Sequence, residues 1–191
     1  MGRSTHDYLL PYSSNTTHTK QVAMIKEIHF AGGCFWGTEH YFKQIRGVIS
    51  TEAGYANGET PNPTYEEVYT DKTGYAETVK VCYDSDIVEL RLLLEMFFRS
   101  IDPTSLNRQG NDIGTRYRTG IYYTSADDIA TIEEVYHDIE QIVGEELMVE
   151  VEPLKSFYPA EEYHQDYLDK NPTGYCHIPF ELMIMAREAN K

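Results

Sequence analysis

Hydrophobic residues recur with two periods along this chain. From Glu77 to Tyr83 they alternate, so Glu77, Val79, Val81 and Tyr83 share one face of a strand and Thr78, Lys80 and Cys82 the other. Glu77 therefore lies on the apolar side. Leu90, Leu93, Leu94, Phe97, Phe98 and Ile101 instead follow three- and four-residue steps, the stripe of an amphipathic helix, with Ser85 or Asp86 placed to cap it. Ahead of these, the folded body starts near Met24. Ile28-His29-Phe30-Ala31 suits a first strand, Gly32-Gly33 a tight turn, and Cys34-Phe35-Trp36 the opening of a helix expected to end at Gly47. Val48 to Tyr55 reads as a strand and Asn57 to Thr64 as a turn-rich loop. Further on come a polar loop over Asn107 to Tyr117, a strand over Gly120 to Tyr123, and a helix from Ser125 to Gly144. Ser125 and Asp128 stand at capping-box spacing there, and Ile129, Ile132, Tyr136, Ile139 and Val143 face the core. Leu147 to Val151 is a further strand, and Pro159 opens a short helix to about Asp169 that Asn171-Pro172-Thr173-Gly174 breaks before Tyr175-Cys176. Residues 1–23 show no hydrophobic period and are expected to form a flexible arm. With no repeat or linker dividing the rest, residues 24–191 are expected to form one α+β domain.

Composition supports a globular protein: 191 residues, 41% hydrophobic and 25% charged, enough to build a real core. A net charge of −15 disfavours phosphate backbones and anionic lipid, so neither nucleic acid nor a membrane is an expected partner. Cys34, Cys82 and Cys176 are too few and scattered for a disulfide framework and form no CxxC motif. The first twenty residues lack the apolar stretch of a signal peptide, so a cytoplasmic protein with reduced thiols is expected. On that reading the glycosylation pattern at Asn15-Thr16-Thr17 carries no weight.

Chemistry gathers at three places. Cys34 directly follows two glycines at a helix start, where unpaired N–H groups and the helix dipole favour thiolate. A small packed thiol beside Phe35 and Trp36 is the alternative; the position favours a nucleophile, and the Phe-Trp pair reads either as core or as an apolar cup for a small alkyl group. Glu77, on the apolar side of its strand, reads either as an acid kept protonated by burial or as a solvated strand-end carboxylate. Cys176 follows a proline and a glycine, where an exposed thiol on a mobile segment can close a disulfide on a sulfenic acid. Cys82 reads as a packed thiol. Tyr65 and Tyr117 are two hydroxyl donors among 16 tyrosines, and Asp112 is by itself a turn residue. His29, His40, His137 and His164 read as surface or hydrogen-bonded residues, the run from Glu161 to Asp166 as a solvated helix face, and no spacing matches a metal-ligand signature.

Several separated motifs in order resemble the A-type peptide methionine sulfoxide reductases over about residues 25–178. They are Gly33-Cys34-Phe35-Trp36-Gly37, Gly54-Tyr55, Pro61-Asn62-Pro63-Thr64-Tyr65, Ala76-Glu77, the stretch from Asn107 to Arg118, Tyr163-His164-Gln165, Asn171-Pro172 and Gly174-Tyr175-Cys176. The resemblance implies a two-layer sandwich whose mixed, mainly antiparallel sheet is packed by helices around a ferredoxin-like core. It implies attack by Cys34 on the sulfoxide sulfur, proton donation by Glu77, hydrogen bonds to the oxygen from Tyr65 and Tyr117, and Asp112 in the surrounding polar network. Phe35 and Trp36 would hold the methyl group. The product would be a Cys34 sulfenic acid, resolved by Cys176 as a disulfide that thioredoxin, or dithiothreitol in vitro, reduces. The implied substrate is the S epimer of methionine sulfoxide, free or in proteins, with no bound cofactor or metal and a monomeric enzyme of protein repair. Tyr75 and Ile101 stand where many relatives have histidine, and only one cysteine lies in the tail, so a direct Cys34 to Cys176 disulfide is expected. Two other readings of the same residues are a thiol peroxidase or hydrolase pairing Cys34 with a histidine, and a noncatalytic module that binds oxidised methionine through Phe35 and Trp36.

Overall fold

The computed structural model describes residues 24–191, and the arm expected over 1–23 lies outside the described residues. Strand β1 (Ile25–Gly32) leads into helix α1 (Phe35–Phe42), β2 (Val48–Ala56), the short helix α2 (Tyr65–Tyr69) and β3 (Ala76–Asp84). There follow α3 (Leu90–Ser100), the two-residue strands β4 (Arg108–Gln109) and β5 (Asp112–Ile113), β6 (Thr119–Tyr123) and α4 (Ile129–Val143). The chain closes with β7 (Glu150–Pro153), β8 (Phe157–Pro159), α5 (Tyr167–Lys170) and α6 (Phe180–Glu188). Among the described residues six strands form one sheet in the order β7-β6-β1-β3-β2-β8, antiparallel at every pairing except β6 with β7. The molecule is thus α+β, as the order of periods predicts, with the mixed, mostly antiparallel sheet that the resemblance implies.

Side-chain alternation sorts the sheet into two unlike faces. Ile28, Phe30, Tyr55, Val79, Val81 and Ile121 meet Phe42 of α1 and Leu93, Leu94 and Phe97 of α3 in the main core. Phe30 stacks between Phe42 and Phe97, with ring centroids 4.6 and 4.9 Å away. Register puts Glu77 opposite Tyr55, on this same apolar face, as its period predicts. The other face carries a small cluster of Ala31, Ala56, Ala76 and Tyr122 under Leu154 and Phe157.

Several local expectations change. His29 is buried, not at the surface, because alternation sends it to the second face, where Phe157 covers it edge-on at 5.0 Å. Its Nδ1 has no hydrogen-bond partner among the described residues, and burial lowers its pKa to about 4. Helix α1 ends at Phe42, before Gly47, because the following residues tighten into three-residue bonds from Gln44 to Tyr41 and Ile45 to Phe42. Glu89, without a side-chain bond, occupies the N-cap of α3 in place of Ser85 or Asp86. Ser125 caps a 3-10 turn over Ala126–Asp128 before α4, Val135 joins the core, and Val143 is exposed. Leu147 and Val149 are buried ahead of a strand that begins only at Glu150. Pro159 ends β8, residues 162–166 form turns, and only the last part of the expected helix is helical, as α5. Tyr75 is buried and donates its hydroxyl to the Thr60 carbonyl, while Ile101 follows the last turn of α3, half-buried. Cys82 is half-buried on the second face of β3, less packed than its alternation predicts.

Candidate active site

The turn that closes β1 builds the site. Gly33 has φ +81°, a left-handed conformation that favours glycine, and a Cβ there would lie 2.7 Å from the Gln109 side chain. This bend sets Cys34 at the N-cap of α1, 6% exposed, with the N–H groups of Trp36 and Gly37 directed at its sulfur. The first N–H of the helix, from Phe35, donates to Glu77 Oε2 at 3.0 Å. A strand carboxyl and a helix-head thiol therefore share one cluster of unpaired backbone donors.

Burial dominates the electrostatics. It pushes the Glu77 carboxyl up to about 8, against the Phe35 N–H and the Arg116 guanidinium, which favour its charge, and with Asp112 and Asp71 adding to the rise. Glu77 is thus a buried carboxyl that holds its proton near neutrality and no solvated strand-end carboxylate. For Cys34 the low pKa expected from the helix start is overturned: burial and then the Glu77 charge raise the thiol well above its usual range, outweighing the Trp36 and Gly37 N–H groups. Both groups therefore favour their neutral forms near pH 7. Tyr65, at the start of α2, is pushed up to about 12 by burial and by the charges of Glu77 and Cys34. Tyr117 is raised for the same reasons, with burial again the largest cause, so both hydroxyls keep their protons.

An aromatic wall adjoins the thiol. Phe35 is buried beside His164, at 5.1 Å, and Trp36 is half-buried and stacked on Tyr167 at 3.7 Å. Trp36 Nε1 donates to His164 Nδ1 at 3.0 Å, and Tyr65 packs 4.5 Å from the same imidazole. The hydrogen-bonded reading of His164 holds, though it is a buried part of the wall and its Nε2 has no partner among the described residues. The acidic stretch around it is no solvated helix face: Glu161 accepts the Tyr55 hydroxyl at 2.8 Å and the Tyr65 N–H at 2.9 Å, which hold its pKa down against burial. Gln165 likewise bonds both backbone groups of Ala53, at 2.9 and 2.8 Å.

The polar loop and the tail close the other side. Asp112 stands in the β4-β5 hairpin and accepts the Tyr175 hydroxyl at 3.0 Å. Its charge opposes ionisation of both Cys34 and Glu77. Arg116 packs over the rings of Tyr69 and Tyr117, at 4.2 and 4.4 Å, and pairs with Asp71 at 2.6 Å. Cys176 is half-buried, where an exposed thiol is expected, because the tail packs against the first turn of α1: an ideal Cβ on Gly37 would lie 3.2 Å from its sulfur. All eight sequence-derived candidates thus converge on the head of α1. His177 and Arg116 escape periodicity; their signal is the neighbourhood of Cys176 and Tyr117 in the chain.

The family model described as peptide methionine sulfoxide reductase matches residues 26–191. A protein of Clostridium acetobutylicum named peptide methionine sulfoxide reductase MsrA is 54% identical over 159 residues, covering 83% of this chain and 98% of that one. Among solved structures, Mxr1 from Saccharomyces cerevisiae in reduced form superposes with a TM-score of 0.76 at 41% identity, over 80% of this chain and 88% of that one. Mxr1 in complex with Trx2 gives 0.54 at 28% identity, over 75% and 84%. A family match of this extent, joined to a relative more than half identical along nearly its whole length, establishes that the chain belongs to the peptide methionine sulfoxide reductase family.

Proposed function

We propose that this protein reduces the S epimer of methionine sulfoxide, free or within a polypeptide, to methionine, and so repairs oxidised proteins with thioredoxin as reductant. The observation that carries the reading is the 3.0 Å bond from the Phe35 N–H to Glu77, which fixes an uncharged acid beside the Cys34 thiol. Family membership and the similarity to Mxr1 in its complex with Trx2 support the substrate and the reductant. The three free thiols suit a reducing compartment, the cytoplasm. A two-layer sandwich with a ferredoxin-like core is the matching fold reading, supported by the order β6-β1-β3-β2 threaded as strand, helix, two strands, helix, strand.

A neutral thiol and a neutral acid hold the atoms the reaction needs. The Cys34 sulfur bonds to the sulfoxide sulfur while Glu77 gives its proton to the oxygen, which Tyr65 and Tyr117 also hydrogen-bond, with Asp112 in the polar network behind them. The thiol proton restores Glu77. Transfer of the hydroxyl to Cys34 releases methionine and leaves a sulfenic acid. Phe35 and Trp36 take the methyl group on the apolar side. Cys176 then displaces water from the sulfenic acid to form a Cys34–Cys176 disulfide, which thioredoxin reduces. Purified protein incubated with dithiothreitol and resolved epimers is expected to yield methionine from the S epimer alone; no methionine from that epimer overturns the reading.

A further inference from the structure

Closing a disulfide requires the Cys176 proton to leave, and burial pushes that thiol above its usual range, so little thiolate forms unaided near neutrality. Resting on the resolving role given to Cys176 above, we propose that His177 accepts the Cys176 proton during disulfide closure.

The tautomer follows from one hydrogen bond. His177 Nε2 lies 2.9 Å from the Gly32 carbonyl oxygen, which only accepts, so Nε2 carries the hydrogen and the neutral ring presents its lone pair at Nδ1. That Nδ1 is buried and has no hydrogen-bond partner among the described residues. It points into the small space above Gly37: an ideal Cβ there would lie 2.9 Å from Nδ1 and 3.2 Å from the Cys176 sulfur. Base and thiol therefore flank a single point on the first turn of α1, three residues beyond Cys34. Cys176 now donates to the Ile178 carbonyl at 3.4 Å, and rotation of its side chain exchanges that acceptor for Nδ1.

Among the described residues few charges face the ring. Asp112 from β5 and the Gly32 carbonyl favour the imidazolium, but burial outweighs both and keeps the ring neutral, the form a base requires. Cys34 at the helix head and Cys176 on the ring's own segment supply the two thiols, Tyr175 is tied to Asp112, and Gln109 packs under Gly33 without charge. In the step itself the Cys176 S–H proton moves to Nδ1, its sulfur bonds to the Cys34 sulfur, and the Cys34 S–O bond breaks. The leaving hydroxide departs as water with the proton returned from the imidazolium. Cys176 is oxidised as the sulfenic sulfur is reduced, and no outside oxidant enters.

The test is one turnover without reductant, quenched in time, with methionine and the Cys34–Cys176 disulfide measured separately. His177→Gln keeps an N–H for the Gly32 carbonyl but has no titrating lone pair. It is expected to slow disulfide closure at least about 30-fold and methionine release less than about threefold, with sulfenic acid accumulating for capture by dimedone. In the wild type, closure should rise to a plateau with a midpoint below 6.5, the ordinary histidine value. In the variant it should climb about tenfold per pH unit towards 9. Closure in the variant at the wild-type rate, an equal slowing of both steps, or a wild-type profile still climbing at pH 9 overturns the assignment of His177 alone. The wild-type profile decides the matter even if the variant does not fold. A wild type that releases no methionine or forms no such disulfide overturns the proposed function along with it.

Discussion

Helix α1 carries a buried carboxyl at its head and another on its flank, and the two differ in their company. Glu77 reaches the head from β3 and meets a thiol, an aromatic wall and one free N–H. Glu39, on the helix itself, faces β2 and the 162–166 turns: it accepts the Asp166 N–H at 2.8 Å and the Thr51 hydroxyl at 3.3 Å. Burial raises both, Glu77 to about 8 and Glu39 to about 7. A perturbed carboxyl is thus no sign of chemistry by itself; the sulfur beside Glu77 makes the difference. The flank instead fastens the turns that carry His164 and Gln165 onto the helix.

The head is where substitution should cost most. Cys34→Ser is expected to lower methionine formation at least about a thousandfold, because the hydroxyl is a far weaker nucleophile at neutral pH; steady-state turnover with the S epimer checks it. Glu77→Gln should cost about 100- to 10,000-fold in the first step, the usual range for a lost general acid. If Glu77 is the proposed acid it acts only while protonated, so wild-type methionine release should fall as pH rises through about 8, and that limb should vanish in the variant. A Gln variant retaining the limb would assign the proton to another group. Cys176→Ser should produce about one equivalent of methionine per enzyme and then stop with thioredoxin, measured by burst amplitude.

The flank should answer in stability. Glu39→Ala leaves the Asp166 N–H and the Thr51 hydroxyl without their acceptor and is expected to cost about 1–3 kcal/mol in denaturant unfolding, with turnover reduced less than about tenfold. With a folded-state pKa of about 7 against an ordinary 4.5, the folded protein binds the extra proton in that window. Stability linked to Glu39 is therefore complete below 4.5 and lost as pH rises through 7. Glu39→Gln should flatten this fall, and a slope as steep as wild type would give the dependence to Glu77 alone.

Where burial follows a period, the chain is legible. The alternation of β3 and the stripe of α3 are local consequences of one buried face; β3 stands within a residue of expectation at each end, while α3 keeps its stripe but starts after Glu89, three or four residues beyond the expected cap. Glu77 was placed correctly by that same alternation. The misread helix after Pro159 has the opposite cause. There, Glu161 and Gln165 bond Tyr65 and Ala53, about a hundred positions earlier in the chain, so side chains replace the backbone bonds of a helix with partners no local period reveals. Helix α2 carried a readable signal that the turn-rich composition hid: Thr64 and Glu67 form a reciprocal capping box. The direction of the Cys34 shift was illegible for a related reason, since helix-end donors are local but the core that buries the sulfur comes from distant strands.

Gly37 bears on how long such a molecule remains useful. With only a hydrogen there, the tail sulfur and the imidazole close on the first turn of the helix, where an ideal Cβ would lie 3.2 Å from the one and 2.9 Å from the other. A methyl group in its place is expected to push Cys176 and His177 off the helix while leaving Cys34 in position. On the proposed cycle, one missing carbon then separates a machine that can be recharged from a reagent spent on first use.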